Sequence, residues 1–149
     1  SSLLKILNDE ICETTSRGMF VTMIVGVYDK NKNELLLSNA GHEPPLIFSS
    51  DGNFRTVDEA GPPLGIAPNF KFTEQTISFK ESSMYIFTDG ITEMKNTNGD
   101  MLGQEGFQDY IKKYQSTPNN KRLQKIIEDL ISSGRIQKDD LTIVTVDGK

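Results

Sequence analysis

The sequence predicts an α+β domain in which helices pack against antiparallel sheet. A segment with helical apolar spacing opens the chain, short apolar segments separated by polar turns fill its middle, and two further helical segments precede a last apolar one. Neighbouring strands joined by tight turns pair antiparallel, and helices placed beside such a sheet define the α+β class. The length of 149 residues with 36% hydrophobic content suffices for one domain with a single core.

One helix and four strands are predicted for the first half of the chain. Residues 2–14 carry apolar side chains at helical spacing, namely Leu3, Leu4, Leu7 and Ile11. Residues 19–29 are long, apolar and β-branched, which predicts a strand buried on both faces. Residues 34–40 follow a polar turn and are its expected partner, and residues 45–57 form a hairpin that turns at 50–53.

The second half begins with a proline-rich loop and ends with a buried strand. The loop, residues 58–69, is expected to be rigid and to pack down through Leu64 and Ile66. Two strands follow, and the first of them is half-buried and irregular; they are residues 70–79 and 83–88. Two amphipathic helices and a last strand complete the chain, at residues 104–115, 120–134 and 141–146.

Composition excludes several classes of protein. A formal charge of −5 and a pI near 4.9 argue against nucleic acid as a partner, because its binders need a concentrated basic face. No apolar stretch approaches the roughly 20 residues of a membrane span. Cys12 is the only cysteine, so an internal disulfide is excluded, and we expect Cys12 to be a small packed side chain in a cytoplasmic protein.

Carboxylates flank two of the predicted strands. Asp89 directly follows the strand at 83–88, and Asp139 and Asp140 precede the last strand. If these strands are antiparallel neighbours, the three side chains converge at one edge of the sheet. Clustered carboxylates repel one another and are tolerated mainly when a cation neutralises them. From spacing alone two interpretations stay open: an oxygen-ligand metal site, or a turn and a loop end with no metal.

Five blocks together resemble one known family. The blocks are "FVTMIVGVYD", "NAGHEPPLIF", "GPPLGI", "YIFTDGITEMKNTNGDMLG" and "DDLTIVTV". In this order, over residues 19–146, they are similar to the C-terminal part of the bacterial metal-dependent serine/threonine protein phosphatases, the PPM family, and most of all to its SpoIIE/RsbU type. Each block alone is weak, and the order of all five makes the resemblance specific.

The resemblance implies an antiparallel β-sandwich flanked by helices, with a centre for two Mn²⁺ or Mg²⁺ ions. It implies that Asp89 and Asp139 are metal ligands and that Gly90 and Asp140 hold supporting positions beside them. The implied reaction is hydrolysis of phosphoserine or phosphothreonine by a water that two metal ions activate. The implied substrate is a phosphorylated regulatory protein of the anti-anti-sigma-factor type.

The sequence departs from the family pattern at its start. The family's first metal block, an Asp followed by Gly-His-Gly, has no counterpart in residues 1–18. We therefore expect residues 1–149 to be the C-terminal two-thirds of a phosphatase domain, truncated on the N-terminal side and inactive alone. His42 belongs to a different block and is expected to order a loop. The alternative is a catalytically inactive phosphatase-like module that regulates or binds another protein.

A truncated sheet has a further expected consequence. Unpaired strand edges and uncovered apolar faces associate with other chains. We therefore expect a homodimer, with the strand at 19–28 as one exposed element, and no contact of this domain with nucleic acid or membrane.

Overall fold

Two compact units make up the chain in the computed structural model, which describes residues 2–15 and 18–148. The first unit contains the described residues up to Pro44, residues Thr56–Ser82 and Gly148. The second contains Pro45–Arg55 and Ser83–Asp147. Within the described residues, no helix has the length and apolar content needed to cross a membrane.

Four helices and seven strands are found in the described residues. In chain order they are α1 (Ser2–Thr14), β1 (Met23–Asp29), β2 (Glu34–Ala40), β3 (Leu46–Ser49), β4 (Phe54–Thr56), β5 (Gln75–Ser78), β6 (Ser82–Phe87), α2 (Asp89–Thr92), α3 (Gly103–Lys113), α4 (Asn119–Ser132) and β7 (Ile143–Asp147). Every predicted helix is present. The short helix α2, which begins at Asp89 where a simple turn was expected, was not predicted.

The first unit has a three-stranded sheet in the order β1-β2-β5. β1 and β2 pair antiparallel from Met23 opposite Ala40 to Asp29 opposite Glu34. β1 therefore lies at an edge, and the side chain of Val27 is 67% exposed. The prediction of a strand buried on both faces is wrong here, because composition reports apolar character and not whether other elements cover each face of the strand. The expected homodimer stays a prediction.

Of the strand predicted at 70–79, only the part that forms β5 is observed. Its ladder with β2 ends at Leu37 opposite Gln75. Beyond that point the Ser38 hydroxyl donates a hydrogen bond to the carbonyl of Thr73 at 2.7 Å. A side chain thus replaces the backbone ladder, and the chain leaves the sheet.

The proline-rich loop packs onto α1 in the first unit. Leu4, Ala40, Leu64 and Phe72 form the buried cluster there. Asn8, fully buried, donates to the carbonyl of Ala67 at 2.9 Å and accepts the N–H of Gly65 at 3.0 Å. The prediction that the loop packs down is confirmed for Leu64, but Ile66 is 55% exposed.

The second unit has a four-stranded sheet in the order β4-β3-β6-β7. β6 and β7 pair antiparallel, with Ser83 opposite Asp147 at one end and Phe87 opposite Ile143 at the other. β3 and β4 are joined by the predicted hairpin turn, in which Ser49 N–H bonds the Asn53 carbonyl at 3.0 Å.

Helices and sheet share one core in the second unit. Phe107 of α3 packs edge-on to Phe87 of β6, with ring centroids 4.9 Å apart. Ile126 and Leu130 of α4 join the same buried cluster. The next residue, Ile131, is 60% exposed, so the buried face of α4 ends with Leu130.

Candidate metal centre

The pairing of β6 with β7 brings the predicted acidic residues to one end of the second sheet. Beyond the last paired residues, Phe87 and Ile143, the ladder continues with a bond of 3.1 Å from Thr88 N–H to the Thr142 carbonyl. Asp89 starts α2 immediately after this bond. The condition for convergence at one sheet edge, that the two strands are antiparallel neighbours, is therefore met.

Gly90 allows the start of α2 to contact the segment before β7. A Cβ atom built on Gly90 would lie 2.5 Å from the carbonyl oxygen of Asp140 and 3.4 Å from the carbonyl carbon of Asp139. No side chain fits at that separation from a main-chain oxygen. The close approach places the backbone after Asp89 directly against the backbone of Asp139 and Asp140.

Thr88 ties the same two segments together through its side chain. Its hydroxyl donates to the Asp140 carbonyl at 3.0 Å and accepts the N–H of Thr142 at 3.1 Å. Sequence reasoning missed this residue, because a threonine before a short helix ordinarily caps the helix and gives no sign of a partner about fifty positions away.

The three carboxylates are exposed at this end of the sheet. The Asp139 carboxylate accepts the N–H of Asp140 at 2.7 Å, which orients it within its own loop. Among the ion pairs between described residues, none involves Asp89, Asp139 or Asp140. No basic side chain of the described part therefore neutralises them.

The donor set has the chemistry of a hard-cation site, but it is incomplete. Carboxylate oxygens are the ligands that Mg²⁺ and Mn²⁺ prefer. Within residues 2–15 and 18–148, however, no group of three or more His, Cys, Asp or Glu side chains is placed to hold a metal ion. The described residues therefore hold no complete set of metal ligands, and Asp89 and Asp139 stay predicted ligands.

A groove of about 500 Å³ in the second unit is lined in part by Asp140. Its walls combine the apolar side chains of Ile91, Leu130 and Leu141 with the polar side chains of Gln137 and Thr142. The groove therefore offers both apolar and polar contacts close to the acidic end of the sheet.

His42 belongs to the first unit and lies in a turn that Asn39 orders. The main-chain N–H of His42 donates to the Asn39 side-chain oxygen at 2.9 Å, and the Asn39 amide donates to the His42 carbonyl at 2.9 Å. The His42 imidazole is placed near Thr22, whose hydroxyl lies 3.2 Å from Nδ1. The loop-ordering role expected for the His42 side chain therefore stays a prediction.

The chain is an α+β protein whose second sheet carries exposed carboxylates at one end. The family model described as "Stage II sporulation protein E (SpoIIE)" matches residues 1–149. The chain therefore belongs to the SpoIIE family, and the predicted SpoIIE/RsbU type of bacterial PPM phosphatase is confirmed.

Two relatives match along nearly the whole chain. Protein IcfG of Synechocystis sp. is 31% identical over 96% of this chain, which corresponds to 23% of the relative. Phosphoserine phosphatase RsbU of Bacillus subtilis is 27% identical over 98% of this chain and 44% of the relative. The chain thus spans less than half the length of either of these curated relatives.

Solved structures confirm the fold class. The RsbU and RsbW domains of Rv1364c from Mycobacterium tuberculosis match with a TM-score of 0.77 and 24% identity, over 95% of this chain and 40% of that one. The phosphatase domain of SpoIIE from Bacillus subtilis, presoaked with Mn, matches with a TM-score of 0.67 and 19% identity, over 97% of this chain and 63% of that one.

Proposed function

We propose that the natural protein containing this chain is a metal-dependent protein serine/threonine phosphatase. The single observation that carries the proposal is the joining of β6 and β7, which sets the backbone at Asp89 and Gly90 against that at Asp139 and Asp140. Membership of the SpoIIE family supports the same reaction class.

Asp89 and Asp139 would hold Mn²⁺ or Mg²⁺ at the strand end. Their oxygen donors suit either cation, and the SpoIIE structure that was presoaked with Mn supports metal dependence in the family. Bound cations would supply the Lewis-acid chemistry that phosphoester hydrolysis requires. The chain's own contribution is to fix the two carboxylates, through Gly90 and the loop bond from Asp140 N–H to Asp139.

The remaining ligands would come from residues outside this chain. The described residues hold no group of three acidic, histidine or cysteine side chains suited to a metal, and the chain covers 63% of the solved SpoIIE phosphatase domain. We infer that residues 1–149 are the C-terminal two-thirds of one phosphatase domain and are inactive alone.

The substrate we propose is phosphoserine or phosphothreonine on a cytoplasmic regulatory protein of the anti-anti-sigma type. The relative named phosphoserine phosphatase RsbU supports the phosphorylated residue. The groove lined in part by Asp140 supports a polypeptide substrate, because its apolar and polar walls offer contacts to residues that flank the phosphorylated one.

A second candidate is a phosphatase-like module without catalysis. The observation that favours it is the incomplete ligand set in the described residues. A module that only binds a partner has no requirement for two exposed, unneutralised carboxylates, so the enzyme is the better-supported proposal.

Phosphate release from a phosphoserine peptide tests the enzyme against the module. The full-length natural protein should release phosphate in Mn²⁺, and the release should stop when EDTA is added. The Asp89→Asn variant should be inactive under the same conditions. Wild-type protein that binds the phosphopeptide and releases no phosphate at any Mn²⁺ concentration would establish the module instead.

A further inference from the structure

We propose that Thr88 is a positioning residue for the carboxylate pair, and that its hydroxyl fixes the segment carrying Asp139 relative to Asp89. This inference rests on the proposed metal-dependent function. It assigns to Thr88 no contact with metal or substrate, only the placement of residues that would make such contacts.

The Thr88 hydroxyl does not cap the helix that follows it. A threonine at the position before a helix normally accepts a hydrogen bond from an N–H of the first helical turn. At Thr88 no such side-chain bond is made. The hydroxyl crosses instead to the neighbouring segment, where it donates to the Asp140 carbonyl at 3.0 Å and accepts from Thr142 N–H at 3.1 Å.

All the polar atoms of Thr88 are used in joining the two segments or starting the helix. Its N–H bonds the Thr142 carbonyl at 3.1 Å, and its own carbonyl accepts the Ile91 N–H at 3.1 Å. One residue therefore connects the end of β6, the start of α2 and the approach to β7. A shift of any of these three parts would break at least one of its bonds.

The Thr88 hydroxyl makes its bonds at the point where the backbone hydrogen bonds between β6 and β7 end. Beyond the pair Phe87 and Ile143, one further ladder bond leads into the exposed loop that carries Asp139. One hydroxyl bond restrains this loop at Asp140, one residue from Asp139, and the other restrains it at Thr142. Groups that orient metal ligands typically change metal affinity by about 10–100-fold when they are removed.

Threonine-to-valine replacement isolates the hydroxyl. Valine has nearly the same shape and the same β-branching, so the backbone preference at position 88 is retained. The carbonyl of Asp140 and the N–H of Thr142 would then face a methyl group. Serine keeps the hydroxyl and removes the methyl, so Thr88→Ser should restore what Thr88→Val loses.

Mn²⁺ binding measured without substrate, from the electron paramagnetic resonance signal of free Mn²⁺, tests the inference in the full-length natural protein. Thr88→Val should bind Mn²⁺ about tenfold more weakly, and Thr88→Ser should bind close to wild type. Thr145→Val makes the same chemical change within β7, opposite Tyr85 in the register, and should leave Mn²⁺ binding unchanged. Amide exchange at Thr142 should be faster in Thr88→Val.

The metal dependence of the rate separates positioning from a general structural defect. In Thr88→Val the ligands are still present, so kcat should recover toward wild type at high Mn²⁺ while the Mn²⁺ requirement rises. A loss of kcat that high Mn²⁺ does not restore would overturn the inference. Thr88→Ala also lacks the hydroxyl and is measured in parallel. Circular dichroism shows which of the two variants is folded, and a folded variant decides the outcome.

Asp89→Asn distinguishes failure of this inference from failure of the proposed function. If Asp89→Asn binds Mn²⁺ like wild type, the metal assignment itself is wrong and the inference falls with it. If Asp89→Asn loses Mn²⁺ binding but Thr88→Val and Thr88→Ala retain wild-type affinity, the proposed function stands and the positioning role of Thr88 is overturned.

Discussion

The guanidinium of Arg122 lies 3.2 Å from the carboxylate of Asp147, at the end of the β6–β7 pair opposite to Asp89. The same nitrogen donates to the Ser83 hydroxyl at 3.0 Å and to the Tyr85 hydroxyl at 3.3 Å. The side chain of Arg122 is 13% exposed. One arginine of α4 thus joins the helix to the first residues of β6 and the last of β7.

Arg122→Met should destabilise the protein by about 2–4 kcal/mol. Removal of one partner of a largely buried pair leaves the other charge uncompensated, and the fully buried Tyr85 loses a hydrogen bond. The measurement is urea unfolding. Lys113→Met is the matched control, because Lys113 pairs with Asp129 but is 59% exposed, and exposed pairs contribute about 0–1 kcal/mol. Equal losses for the two variants would contradict the structural role of Arg122.

Asp89→Asn and Asp139→Asn should each remove nearly all phosphatase activity from the full-length protein and leave its unfolding midpoint in place. Each change replaces a charged ligand with a neutral side chain of the same shape, and both positions are exposed. Turnover on a phosphoserine peptide in saturating Mn²⁺ is the measurement. Asp51→Asn, at an exposed hairpin turn, is the control. Retention of more than roughly a tenth of wild-type turnover would exclude that residue as a ligand.

Gly90→Ala should lower both stability and activity. The added methyl would lie 2.5 Å from the Asp140 carbonyl oxygen, so the segment before β7 must move. Overpacking of this kind costs about 1–3 kcal/mol. Gly26→Ala is the control, since the closest atom to its methyl would be the end of the Leu35 side chain at 3.2 Å, and the nearest main-chain atom, the Leu36 carbonyl oxygen, would lie at 3.6 Å. Urea unfolding and phosphate release, measured on both variants, should show a loss of stability and activity for Gly90→Ala and a smaller loss for Gly26→Ala. A Gly90→Ala enzyme with wild-type activity would show that the close approach is not required.

The sequence indicated which acidic residues flank the two strands but not the contacts between the strand ends. The strands β6 and β7 pair antiparallel as the flanking acids suggested, whereas Asp89 and Asp139 as metal ligands come from the family resemblance and stay a prediction. Thr88 and the edge position of β1 could not be found, because each depends on which segment lies beside another. The early end of β5 depends likewise on Ser38, a side chain from a distant strand that bonds the Thr73 carbonyl.

Asn8→Leu should destabilise the first unit by about 2–3 kcal/mol although it adds apolar surface. Asn8 is fully buried, and its amide satisfies the Ala67 carbonyl and the Gly65 N–H. Leucine leaves both main-chain groups without these partners, and an unsatisfied buried polar group costs about 1–3 kcal/mol. Amide exchange at Gly65 and urea unfolding are the measurements. Asn31→Leu, at an exposed turn, should be close to neutral; an Asn8→Leu protein as stable as wild type would show that the loop does not depend on these bonds.

The 149-residue chain alone should bind Mn²⁺ weakly. Asp89 and Asp139 supply carboxylates, but no third acidic, histidine or cysteine side chain of the described residues joins them, and hard divalent cations retain water in preference to an incomplete cage. Isothermal titration of the chain with Mn²⁺ should give a weak, poorly saturable signal, which the Asp89→Asn change reduces further. The full-length protein, titrated in parallel, should bind more tightly. A tight, stoichiometric site in residues 1–149 would mean that these residues contain a further ligand, and that the missing part of the centre need not come from elsewhere.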